Sequence, residues 1–328
     1  MKKRATVALS LLFVVIAVAN LFPSHAQKPN EPHAGSGAPP LSNPLKVALL
    51  KWYKANIVPT SYPVGKQPYG VAFDGSNLWI VNQPGTVTKV RASDGTTLGT
   101  FNVGASPLGV TFDGSDVWIS NSLGNSVTKL RASDGTNLGT FAVPNEPEYM
   151  AFDGEAIWVP SAAGTTVTKL RASDGKTVGT VQVGRGPVAA ACDGENIWVT
   201  NKADGTVTKL RASDGKVLGT FAVGIQPLGV AFDGAHIWVA NNGDSSVSEL
   251  NDADGSTLGK IYLNVLPYLI AFDGVSVWVS GLAEVDVLGV ADGKVSTRIK
   301  TGDATSGVAF DGASVWVADY NKDIVYKF

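Results

Sequence analysis

The 328-residue chain contains one cysteine, Cys192, so no intramolecular disulfide can form. Cys192 stands where a repeated motif otherwise has Phe, and it reads as a small buried hydrophobe. Histidine is almost as scarce: of three, only His236 lies in the repeated part of the chain, and no Ser-His-Asp set can be assembled. Charged residues make up only 16%, with 26 basic against 28 acidic, giving a net charge of −2. A chain without a basic excess lacks the surface that phosphate neutralisation requires, which disfavours nucleic acid as a partner. What remains is 44% hydrophobic residues and 37 glycines, a balance suited to a β-rich protein with many tight turns.

The first 26 residues read as a signal peptide: Lys2, Lys3 and Arg4, then apolar Ala5 to Phe22, then small residues at Ser24 and Ala26 before Gln27. The alternative is an uncleaved anchor, as the apolar stretch is near the lower limit for a span. No cysteine follows it, which excludes a lipoprotein anchor. Cleavage takes the net charge from −2 to −5 and leaves no membrane span, which places the protein in the periplasm or outside the cell. Residues 27–43, rich in Pro, Gly, Ser and Asn, are expected to be a disordered linker. Asn43-Pro44 then starts a short amphipathic helix over 44–54, with Leu45, Ala48, Leu49 and Trp52 on one face.

The rest is a repeat. The signature F-D-G-x-x-Φ-W, with Φ a branched apolar residue, recurs seven times, placing Trp at 79, 118, 158, 198, 238, 278 and 316. A period near ~40 residues marks a repeat architecture. Within 227–265, short apolar runs separated by Asp233-Gly234, a polar loop and Asp254-Gly255 read as four antiparallel strands. These strands are too short for a transmembrane barrel. A sheet apolar on both faces must stack on neighbours, in a propeller or an open solenoid. The last copy stops after its third strand, while Ile57 to Val64 reads as an unpaired fourth strand. The expected fold is therefore all-β: a seven-bladed β-propeller over 57–328, its last blade closed by the N-terminal strand.

Each Trp sits at the same mid-strand place among apolar neighbours, as blade-to-blade packing requires, though aromatic platforms can also bind sugars or bases. The Asp of each Asp-Gly is expected to hold its turn by bonding local amides. Thr-Lys-Φ-Arg-Ala-Ser-Asp-Gly occurs four times, at Arg91, Arg131, Arg171 and Arg211, and each Arg has an Asp three residues on, which neutralises a basic arc.

The Pro-x-Gly-Val-Ala-Phe-Asp-Gly, Ile-Trp-Val-x-Asn and Val-Thr-Lys-Leu elements resemble the YVTN/NHL-type repeats of bacterial propellers. They are similar to the YncE-like proteins and to the virginiamycin B lyase (streptogramin lyase) group. The resemblance spans about residues 57–328 and implies a ligand face built from two sets of loops. In the set leading into each first strand, Lys66, Tyr69, Glu146, Glu148, Tyr149, Arg185, Tyr268 and Asp303 depart from the consensus. In the set after each second strand, Asn recurs at 82, 121, 201 and 241, with Asp319 in the last copy. These Asn are expected to cap the loops; a ring of amides holding water or a cation around the axis is the alternative. Glu146, Glu148 and Tyr149, with Arg185 one blade on, are the best candidate cluster for a small polar ligand or metal.

The lyase resemblance implies metal-assisted proton abstraction by His, with Glu and His nearby on the ligand face. This chain departs from that pattern. His236 directly follows an Asp-Gly turn, and the last two copies carry no His and no Glu except Glu284. The reading that follows is an exported, non-catalytic binding or interaction propeller for a small ligand, glycan or protein, without a cofactor. The alternative is a metal-dependent lyase or lactone hydrolase holding a divalent cation through Glu146, Glu148, Asp303 and Asp319.

Overall fold

A computed structural model describes residues 59–328. The signal peptide, linker and helix expected over 1–26, 27–43 and 44–54 lie outside the described residues. No helix among the described residues is long and apolar enough to cross a membrane.

The local structure follows from the signature. In the second copy, Asp113 Oδ1 accepts the amides of Ser115 at 2.9 Å and Asp116 at 2.7 Å, which folds the chain back on itself. Gly114 takes φ 94°, a left-handed value that side chains resist. The other carboxylate oxygen, Asp113 Oδ2, accepts Trp118 Nε1 at 2.7 Å. All seven copies repeat this bond, at 2.6 to 2.8 Å. The five-residue Asp-to-Trp spacing is thus one device: Asp makes the turn and satisfies the buried indole N–H.

Four antiparallel strands follow one another in each of five sheets, the first being Pro68–Phe73, Asn77–Asn82, Thr86–Arg91 and Thr97–Asn102. The second and third strands are almost wholly buried, whereas the fourth alternates exposed and half-buried residues. The chain is an all-β propeller of four-stranded antiparallel blades. Seven blades were expected, but the strands form six sheets, five of four strands and one of six. In that sheet the loops of the last copies are short enough for Ser276–Gly289 and Val295–Phe310 to run on as single long strands. Thr60–Pro63, within the expected Ile57–Val64, pairs antiparallel with Ile324–Lys327, Thr60 opposite Lys327.

Packing runs from copy to copy. Trp79 lies against Val117, Ile119 and Leu130 of the following copy. Trp316 lies against Leu78, Ile80 and Val90 of the first, which closes the ring. Burying such rings and their apolar neighbours supplies the cohesion between sheets, at ~25 cal/mol per Å² removed from water.

A tyrosine-lined mouth on the axial channel as the candidate functional site

The first strands of all copies face the axis, where space is short. A Cβ on Gly307 would lie 2.1 Å from the Tyr69 carbonyl oxygen, and one on Gly70 would lie 2.5 Å from that of Leu108. Glycine there lets inner strands approach closely, leaving an axial cavity of about 160 Å³ lined mainly by Val71, Val110, Met150, Val230, Ile270 and Val308. The residue after the leading Pro of an inner strand stands at one mouth of this channel, and Tyr69, Glu148 and Tyr268 occupy that position in three copies. The second set of loops adds Tyr320, Asn242 and Leu282.

The third copy departs most from the pattern, as its sequence foretold. Asn145 and Glu146 are both left-handed, with φ 61° and 56°, and the inner strand shrinks to Ala151–Phe152. Tyr149 instead joins the neighbouring copy: its amide donates to the Val188 carbonyl and its carbonyl accepts the Ala190 amide, both at 3.0 Å. Tyr149 thereby takes the axial place that Gly fills in the first, second, fifth and seventh copies.

Burial above all pushes the Glu148 carboxyl up to about 7; Lys202 opposes the rise and Glu146 adds to it. Burial also raises the phenols of Tyr69, Tyr149 and Tyr268, each of which feels at least one other of these tyrosines or Tyr320, together with Glu148. The Tyr69 and Tyr320 rings meet edge to face, centroids 5.0 Å apart. Tyr69, Tyr268 and Tyr320 frame a pocket of about 290 Å³ with Leu266, Leu282 and Ser306. Tyr69, Glu148, Tyr149 and Tyr268 are therefore brought together.

The other candidates are not part of this group. Arg185 does not join Glu146; its Nε donates to Asp204 Oδ1 at 2.6 Å and its amide to Asp204 Oδ2 at 2.7 Å. The loop's own Asp captures it because that partner is held by both backbone and side chain. Glu146 is exposed, its amide donating to Asn125 Oδ1 at 2.8 Å. Lys66 lies 4.0 Å from Asp323. Asp303 accepts Asn321 Nδ2 and the Ala304 amide. Asp319 is buried and accepts the amides of Asn321 and Lys322 and, at 3.1 Å, Lys322 Nζ. Among the described residues no three His, Cys, Asp or Glu side chains are placed to hold a metal ion.

The recurring Asn residues form no amide ring around the axis. Asn121 is fully buried; its Oδ1 accepts the Gly104 amide at 2.9 Å and its Nδ2 donates to Ser126 and Thr128. Asn201 and Asn241 repeat this. His236 sits at the end of its strand opposite Asn242, with Nδ1 3.3 Å from Asp233 and 3.5 Å from Glu249. The four repeated Arg residues pair with their Asp neighbours at 2.9 to 3.1 Å.

Tyr320 and Lys202 were missed from the sequence. Both directly follow the recurring Asn or Asp, at a position that changes in every copy: Gln83, Ser122, Ala162, Lys202, Asn242, Leu282, Tyr320. That variability was the available signal. A larger groove of about 450 Å³ at the Asp-Gly end, lined by Asp153, Glu155, Lys169, Glu195 and Arg211, recurs one copy earlier around Asp113, Lys129 and Arg171. It is a product of blade spacing, and Lys169 in it is already engaged by Asp153 at 3.3 Å.

No protein-family model matches the chain, and no curated protein matches it. Solved structures do. A catalytically inactive variant of virginiamycin B lyase from Staphylococcus aureus, with quinupristin, superposes with a TM-score of 0.71 at 18% identity, covering 82% of this chain and 98% of that one. Hydrazine synthase of Kuenenia stuttgartiensis gives 0.70 at 19% identity, with 84% and 98% covered. A streptogramin B lyase gives 0.71 at 17%, with 82% and 96% covered. The chain is a repeat β-propeller similar in structure to these lyases; at such identity the likeness concerns the fold.

Proposed function

We propose that this protein is an exported, non-catalytic propeller that binds a small ligand in the tyrosine-framed mouth of its channel. The carrying observation is the convergence of Tyr69, Tyr268 and Tyr320 on one pocket with Glu148 and Tyr149 beside it. These are the residues that break an otherwise uniform repeat, and a concave, largely apolar site with few polar groups is the usual form of a ligand pocket. The test is a thermal-shift screen of small amines, sugars and peptides against the purified protein. A ligand should raise the melting temperature of the wild type but not of Tyr320→Ala. Shifts that survive that substitution count against the pocket.

The blade count belongs to the same reading: we infer seven repeat units, two of them merged in the six-stranded sheet. Ala283 and Gly302, with φ 67° and 79°, interrupt its two long strands. Trp278 packs on Val315 and Val317 of the same sheet just as the other Trp pack on the next copy.

A second reading is favoured by Glu148 alone. A carboxyl with its pKa near neutrality is suited to general-base work. If the chain acts as a lyase like its structural neighbours, quinupristin should be consumed, as followed by chromatography, and Glu148→Gln should abolish the loss. An unchanged chromatogram removes that reading for this substrate.

A further inference from the structure

We propose that the pocket framed by Tyr69, Tyr268 and Tyr320 selects organic ammonium cations, tertiary or quaternary amines carrying an apolar arm. This rests on the binding reading above and names the ligand class of the same pocket.

Three features point to a cation. The first is the wall itself. The Tyr69 and Tyr320 rings are inclined at 66°, so they form two faces of a corner and not a closed stack, with Tyr268 as a third side. The negative face of an aromatic ring attracts an ammonium group, and the attraction strengthens as water is excluded.

The second is the direction of the hydrogen-bond donors. An anion needs donors aimed at it. Here Asn242 Nδ2 donates to the Pro267 carbonyl at 3.0 Å, Ser306 Oγ to that of Pro68 at 2.8 Å, and Thr305 Oγ to that of Gly281 at 2.8 Å. These three donors are turned into the scaffold, so the phenol hydroxyls, which accept as well as donate, and the π-faces are left to meet a ligand.

The third is charge. Among the described residues no Lys or Arg lines this pocket, while the Glu148 carboxylate acts on both Tyr69 and Tyr268. Lys202 attenuates that charge from outside the pocket, where it is exposed. Leu266 and Leu282, 46% and 57% exposed at the rim, offer an apolar surface for the arm of the ligand.

The experiment is calorimetric titration of the purified protein with benzyltrimethylammonium, benzyl alcohol and benzoate at pH 8. The cation is expected to bind at least about tenfold more tightly than either other probe. Tyr320→Ala should lose about tenfold in affinity, Tyr320→Phe should stay within about threefold because the ring remains, and Glu148→Gln should weaken only the cation. Tyr69→Ala replaces Tyr320→Ala if the latter fails to melt cooperatively. Benzoate or benzyl alcohol binding as tightly as the cation, and still dependent on the tyrosine, overturns the ammonium inference and leaves the binding pocket standing. Binding by none of the three, or binding indifferent to the tyrosine substitutions, overturns both.

Discussion

Lys327 Nζ donates a 2.7 Å hydrogen bond to the carbonyl of Ala92, across 235 positions of sequence. Lys327 also lies 4.9 Å from the centre of the Trp316 ring. The same arrangement joins Lys89 to Ala132, Lys129 to Ala172 and Lys169 to Ala212, each Lys lying over the Trp of its own copy. Lys209 reaches the Asp252 and Ala253 carbonyls in the same way. Each Lys thus fastens one blade to the next, and Lys327 fastens the last to the first.

Lys327→Met should therefore destabilise the ring by about 1–3 kcal/mol, through a lost charged hydrogen bond and cation–π contact. Arg91→Ala, which removes only an exposed pair with Asp94, should change little. Urea unfolding of the two variants distinguishes a closing clasp from a surface charge.

Asp113 carries more than its turn. Asp113→Ala removes two amide acceptors and the Trp118 partner together and should cost about 2–4 kcal/mol. Trp118→Phe retains the turn but leaves Asp113 Oδ2 without its indole donor, at a cost of about 1–3 kcal/mol. Thermal melts should place the two in that order.

Glu148 makes stability depend on pH. Its folded pKa, about 7, is raised above the ordinary 4.5, so the fold favours the protonated form. The penalty is absent below about pH 4.5, grows as pH rises to about 7 and is constant above. Glu148→Gln should melt higher than the wild type at pH 8.5 and lose the difference at pH 4.5. Glu146 and Lys202 face this carboxyl along with Tyr69, Tyr149 and Tyr268, so Lys202→Gln should enlarge the wild-type penalty.

Asp286 is fully buried, and neither carboxylate oxygen has a hydrogen-bond partner; Arg298 Nε approaches only to 3.5 Å. Burial, with Glu284 adding to it, pushes its pKa up to about 6 against the pull of Arg298. Asp286 opposes Arg298 as Thr88 opposes Thr100 in the first copy. Asp286→Thr places there the residue of the first four copies, Thr88, Thr128, Thr168 and Thr208, and should stabilise the protein by about 1–2 kcal/mol at pH 8, with the gain shrinking below about pH 6.

The scaffold was legible because the repeat states it seven times. Asp and Trp five apart, Gly after Asp, and alternating strands each require only neighbours in sequence, and the packing of identical copies follows. The six-stranded sheet was not legible: whether Gly281-Leu282-Ala283 and Gly302-Asp303 break a strand or let it run on depends on hydrogen bonds between neighbouring strands. In the site, Glu148, Tyr149, Tyr69 and Tyr268 were visible as departures from the consensus. Arg185 was visible in the same way and yet belongs elsewhere, because a departure marks a position without saying where its side chain goes.

The sequence by itself determined the β-class, the repeat length, the turns and which residues differ from their counterparts, since all of these are local or periodic properties. Tertiary structure alone decided that Tyr320, far along the chain, meets Tyr69, and that Lys327 reaches Ala92. Closing the ring brings the two ends of the propeller side by side, and only that contact creates the corner between the Tyr69 and Tyr320 rings.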